Sequence, residues 1–174
     1  MLPSGLRREQ VPQPYGGEVT SSNRGTTVDR SDIQKAALAV GAVFLLVGIL
    51  GFIPGITTDY DDMSFAGHES TAMLLGVFQV SVLHNIVHLL FGVAGIAAAR
   101  AARSSYLYLV GGGVIYLVLW LYGLIVDKDS DGNFVPVNNA DNWLHLLLGL
   151  GMIALGVLLS RRTATTTTGR GRGL

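Results

Sequence analysis

The chain writes one helix start twice: Asn85-Ile86-Val87-His88-Leu89-Leu90-Phe91-Gly92 and Asn142-Trp143-Leu144-His145-Leu146-Leu147-Leu148-Gly149. In each copy His follows Asn by three residues and Gly follows His by four, so on a helix all three fall along one face. Everything around that face is apolar. An amide, an imidazole and a glycine on an otherwise greasy helix, occurring twice, are the marks of a duplicated helical hairpin built for a membrane.

Composition agrees. Apolar residues make up 49% of the 174 and charged residues only 14%, against about 25% charged in soluble domains. The sequence contains no cysteine, which excludes disulfides, thiolate metal sites and cysteine nucleophiles. The formal net charge is zero, but the two signs are segregated along the chain.

Four apolar runs follow a Pro-, Gly- and Ser/Thr-rich stretch, residues 1–34, read as a disordered cytoplasmic tail. The first, 36–53, is long enough for a hydrocarbon core of about 30 Å and ends at Pro54-Gly55; Ser31 or Asp32 is placed to cap it. A second runs from Glu69 to Ala99, longer than one crossing needs, and divides into a span over 80–99 and an outer helical extension over 69–79. Residues 106–126 form the third span, with Tyr106, Tyr108, Trp120 and Tyr122 near its ends. The fourth covers 143–159, and 161–174 reads as a second disordered tail. The expected fold is therefore all-α: a membrane four-helix bundle over 35–160, made of two parallel helical-hairpin repeats.

Cations set the orientation. With both termini and the 100–105 connection inside, eleven of the twelve Lys/Arg residues are cytoplasmic and only Lys128 is outside; Lys35, Arg100, Arg103, Arg161 and Arg162 flank the spans in agreement with the positive-inside rule. Eight of the twelve acidic residues, Asp59, Asp61, Asp62, Glu69, Asp127, Asp129, Asp131 and Asp141, fall in the outer connections. The expected location is the cytoplasmic (inner) membrane, multi-pass, both termini cytoplasmic.

The polar constellation lies in the outer half of the bundle. His84 and His88 are one turn apart, Asn85 is beside them, and Ser81 is one turn above Asn85. His88 stands about 18 Å above Arg100 and His145 about 24 Å above Arg161, so modest tilt brings them level. Three readings are open. Ser81, Asn85, His88, Asn142 and His145 can form a structural cluster that locks the hairpins together, each interhelical bond contributing about 0.6–2 kcal/mol. His84, His88 and His145 can ligate a metal ion, with His68, Glu69 or Asp141 as further donors. His88 and His145 can serve as the two axial ligands of a haem.

Other motifs are weaker. Asp127, Asp129, Asp131 and Gly132 match the start of a calcium loop, but Asn138 stands where its closing glutamate belongs, which favours a solvated outer loop. No phosphate-binding glycine loop, nucleophile elbow or pair of inward carboxylates occurs, so hydrolase and nucleotidase chemistry has no carrier. Arg170-Gly171-Arg172 is too short to support nucleic-acid binding.

The segments Phe65-Ala66-Gly67-His68-Glu69, Leu83-His84-Asn85-Ile86-Val87-His88 and Asn142-Trp143-Leu144-His145-Leu146-Leu147 make the chain resemble the bacterial, chiefly actinobacterial, four-span membrane proteins grouped as domain of unknown function 4383, over about residues 33–160. That resemblance implies a multi-pass membrane protein and no particular activity, substrate or cofactor. The expectation is a non-enzymatic structural or interaction subunit whose partners are the lipid bilayer and a second copy or another membrane protein. The alternative is a metal- or haem-binding protein using His84, His88 and His145.

Overall fold

The computed structural model describes residues 30–169, with side chains through Arg161. Four helices carry it: α1 Asp32–Leu50, α2 Val82–Ala98, α3 Ala102–Ile125 and α4 Asn139–Gly169. Three are long and apolar enough to cross a membrane, Asp32–Leu50, Ala102–Ile125 and Asn139–Arg161, while the apolar α2 has 17 residues. Their composition and packing make this a helical bundle of membrane type. The boundaries differ from the sequence expectation at several ends. Helix α1 starts earlier and stops at Leu50, α3 starts at Ala102, and α4 starts at Asn139. Most of the expected N-terminal tail, residues 1–29, lies outside the described residues.

Ser31 begins α1. Its amide and its hydroxyl both donate to Gln34 Oε1, at 3.0 and 2.9 Å, and Gln34 Nε2 reaches across to the Ala99 carbonyl at 3.1 Å. Gln34 of this capping box thus also fastens the C-terminal end of α2 to α1. At the other end of α1 the buried Thr57 hydroxyl donates toward the Leu50 and Gly51 carbonyls, both at 3.2 Å, which supplies acceptors that a helix terminus leaves without partners.

Helix α1 packs chiefly on α2, and α3 on α4. The approach within each pair is set by glycine. A Cβ on Gly92 would sit 2.6 Å from the Leu45 amide nitrogen and 2.8 Å from the Gly41 carbonyl oxygen; one on Gly113 would sit 2.7 Å from the Gly149 carbonyl oxygen. Only helices lacking a side chain at these crossings can come so close, and dispersion contact is what holds helices together where lipid competes for every apolar face. Between the pairs, Phe44 of α1 stacks on Tyr116 of α3 with centroids 5.3 Å apart, and Phe91 of α2 meets both edge-on at 5.0 and 5.6 Å. Ile33, Ala37, Ala99, Leu109 and Met152 complete this core.

The outer helical extension expected over 69–79 is not there. A small antiparallel sheet replaces it, in the order β1 Thr57–Thr58, β2 Met73–Leu74, β3 Phe78–Gln79, with Met73 opposite Gln79 and Leu74 opposite Phe78. The turn residues Leu75 and Gly76 have φ of 55° and 67°, a left-handed pair that produces a tight hairpin and cannot continue a helix. Burial follows the two-residue period of a strand: Ala72, Leu74 and Val80 form a second small core under this cap. By helical rise α2 is only about 25 Å long, and the hairpin extends the first pair beyond the N-terminus of α2.

Candidate functional site

The site forms where α2 and α4 begin. Ser81 is the N-cap of α2, its hydroxyl accepting from the His84 amide at 3.2 Å. Asn138 does the same for α4, its Oδ1 accepting from the Asp141 amide at 2.9 Å while Asp141 Oδ2 accepts from the Asn138 amide at 3.0 Å. Each cap stands four residues ahead of the motif asparagine, so helix starts of the same construction position both Asn/His pairs.

Three of the five residues expected to lock the hairpins together take different roles. Asn85 lies against Gly51 at the end of α1, and Asn142 against Gly123 near the end of α3; a Cβ on either glycine would run into the amide oxygen of its asparagine. Each asparagine thus packs inside its own hairpin. Asn85 Nδ2 meets only Met63 Sδ at 3.8 Å, and Oδ1 of both asparagines is buried without a hydrogen bond. Ser81 is spent on its cap. Substituting Gly51→Ala is expected to cost about 1–3 kcal/mol by overpacking a buried amide, and most of that cost should vanish in an Asn85→Ala background. Equal costs in both backgrounds, measured by unfolding in mixed micelles, would show that this contact does not set the packing.

The histidines do converge. His84 and His88 meet edge-to-face with centroids 4.5 Å apart, and His145 crosses from α4 to within 6.5 Å of His84. Phe44 packs on His88 at 5.6 Å and Tyr116 on His145 at 5.3 Å, so the stacked aromatic pair lies directly beneath the imidazoles. The Pro136 carbonyl faces the His84 ring. Nδ1 of all three rings is buried without a partner, and among the described residues no protein group hydrogen-bonds to the side chain of His88 or His145.

Two cavities flank this cluster. One of about 100 Å³ lies between α1 and α4 under the β-hairpin, lined by Val47, Leu50, Phe78 and Leu148. The other, about 80 Å³, lies between α2 and α3 beside Val87, Leu119 and Val135. All three imidazoles border both. Neither cavity, at about 100 and 80 Å³, has room for a porphyrin. Among the described residues no group of three or more His, Asp or Glu side chains is arranged to hold a metal ion. His68 stands apart, lining an open polar cleft of about 190 Å³ with Lys128, Asp129 and Asn138, and Glu69 is exposed.

Asp141 serves as a strap as well as a cap. Its Oδ2 also accepts from the Gln79 amide at 3.0 Å, and Asn138 Nδ2 donates to the Val77 carbonyl at 2.8 Å, so the cap of α4 satisfies the free edge of β3. Gln79 Nε2 in turn donates to the Ser70 carbonyl at 2.8 Å. The detectable signal was the Asn-x-x-Asp spacing, a capping box standing at the place in the second motif that Ser81 and His84 occupy in the first.

Over residues 34–158 the chain matches the family described as domain of unknown function DUF4383. The protein belongs to this family. No curated protein and no solved structure matches it. In this DUF4383 chain the matched region takes in all three cluster histidines, both capping residues and the strap from Asp141 to β3.

Proposed function

We propose that this DUF4383 chain is a four-span protein of the bacterial cytoplasmic membrane, both termini inside, that acts as a non-enzymatic structural or interaction subunit. One observation carries the reading. Apart from the three histidines, the polar side chains in reach of the outer half of the bundle, Ser81, Asn138, Asp141, Ser70 and Gln79, are spent on backbone partners, and both motif asparagines on close contact with glycine. That is the chemistry of holding elements together.

The two hairpins are read as copies of one unit. Gly41 and Gly113 each stand ten residues before the glycine that faces the motif asparagine, and each crosses the glycine seven residues after that asparagine. Phe44 and Tyr116 occupy equivalent positions, meeting near the axis that would relate the copies. Helix α2 completes its crossing with the hairpin ahead of it, whose backbone groups are paired by the sheet and by α4, the condition for non-helical chain at membrane depth.

The natural sequence has no cysteine, so single cysteines report topology without background. A membrane-impermeant maleimide should label Asp131→Cys on intact cells and Ala101→Cys only after permeabilisation; the reverse pattern would invert the orientation. Extraction from native membranes in mild detergent should yield a complex larger than one chain and its micelle. A lone monomer would overturn the subunit role.

A further inference from the structure

The cluster of buried imidazoles that packing does not satisfy lies at the end of an apolar cavity. A neutral imidazole always presents one N–H donor and one lone pair. Among the described residues His88 and His145 find a protein partner for neither, and Nδ1 of His84 has none. At His84 the Pro136 carbonyl lies by the ring while Nδ1 is bare, so a ring proton has an acceptor on one side and the other nitrogen is open to a ligand. The cluster therefore calls for a group that both donates and accepts. A hydroxyl does so through one oxygen. A carboxylate or an ammonium does only one of the two and brings a charge into an apolar wall.

The cavity decides what is attached to the hydroxyl. Apart from the imidazoles and Asp141 its walls are apolar, among them Val47, Leu50, Phe78, Leu144 and Leu148, and water standing away from the imidazole end would lack the two to four polar partners it needs. Leu75, 62% exposed at the hairpin tip, forms part of its rim. An enclosed apolar cavity of about 150 Å³ takes up benzene, so a partly open one of about 100 Å³ can admit one ring with its tail trailing along the groove.

We propose that the groove between α1 and α4 binds a small amphiphile of phenol or hydroquinone type, its hydroxyl on the cluster of His84, His88 and His145 and its apolar body between Leu50 and Leu148. The ligand enters sideways from the lipid. The proposal rests on the membrane placement argued above and is independent of the subunit role.

The test uses the full chain in lipid nanodiscs with ¹⁵N-labelled histidine, whose four residues give separable ring-nitrogen signals. Titration with 4-n-pentylphenol should shift the signals of three histidines saturably and leave His68 in place. The methyl ether, 4-n-pentylanisole, has the same body but cannot donate, and should bind roughly tenfold or more weakly. Leu144→Trp, or Leu50→Trp on the opposite wall, should fill the groove and abolish the phenol shift. Shifts of equal size with the ether, shifts unaffected by the folded tryptophan variants, or no saturable shift would overturn the proposal; the ether comparison decides even if neither variant folds. Histidine signals already at metal-bound positions that revert on chelation would overturn it in favour of an ion. Maleimide labelling, read separately, keeps a failure here distinct from a failure of the membrane topology.

Discussion

Gly92→Ala is expected to lower stability by about 2–3 kcal/mol, the upper range for overpacking a site that cannot relax. The added methyl would meet the Leu45 amide nitrogen at 2.6 Å and the Gly41 carbonyl oxygen at 2.8 Å. Both are backbone atoms of α1, so the two helices must move apart and surrender contact along the whole seam. Gly149→Ala should cost less, because its nearest neighbour is the Leu117 side chain at 2.7 Å, which can turn away. Gly111→Ala supplies the control. Nothing lies within 4 Å of its added carbon, and helix propensity then favours alanine by about 1 kcal/mol. Reversible unfolding in mixed micelles, followed through Trp120 and Trp143, ranks the three. If Gly92→Ala matched Gly111→Ala, the close crossing of α1 and α2 would be wrong.

Asp141→Ala is expected to cost a similar amount, about 2–3 kcal/mol, for a different reason. One carboxylate oxygen accepts from the Asn138 and Gln79 amides, and removal strands both donors in a partly buried place. The helix start and the sheet edge fail together. Asp141→Asn keeps an oxygen in that position and should recover most of the loss. Amide exchange separates this from a general loss of packing: the Gln79 amide should exchange much faster in the alanine variant, whereas the amides of Leu109 and Met152, in the inner core, should change only as global stability does. Unaltered exchange at Gln79 would remove the strap from the account.

Hydropathy made the helices legible, because lipid imposes one rule on every residue of a spanning segment and the runs around Phe44, Tyr116 and Met152 obey it. The glycine seams were legible as faces and not as partners, since spacing along one helix says nothing of which helix it meets. Two parts stayed hidden. At 72–80 the apolar residues alternate in burial as a strand requires, but nearly every residue there is apolar, so no polar face marks the period. The turn is carried by Leu75 at positive φ, where Asn or Asp would have announced it. Amides in lipid need partners, so the sequence points to the asparagines as links between hairpins. Their partners are instead Gly51 and Gly123, each too small to be recognised as a contact before the helices are assembled.

The bond from Asp141 to the edge of β3 spans residues 62 positions apart in sequence, and this bears on the order in which the chain is made. Synthesis runs from the N-terminus, so the first two helices and their sheet emerge before the start of α4 exists. Until then the Gln79 amide and the Val77 carbonyl have no side chain to meet them, and a strand edge with unpaired backbone groups is open to wrong pairing. The first half therefore cannot finish this edge by itself, and the second half closes it on arrival.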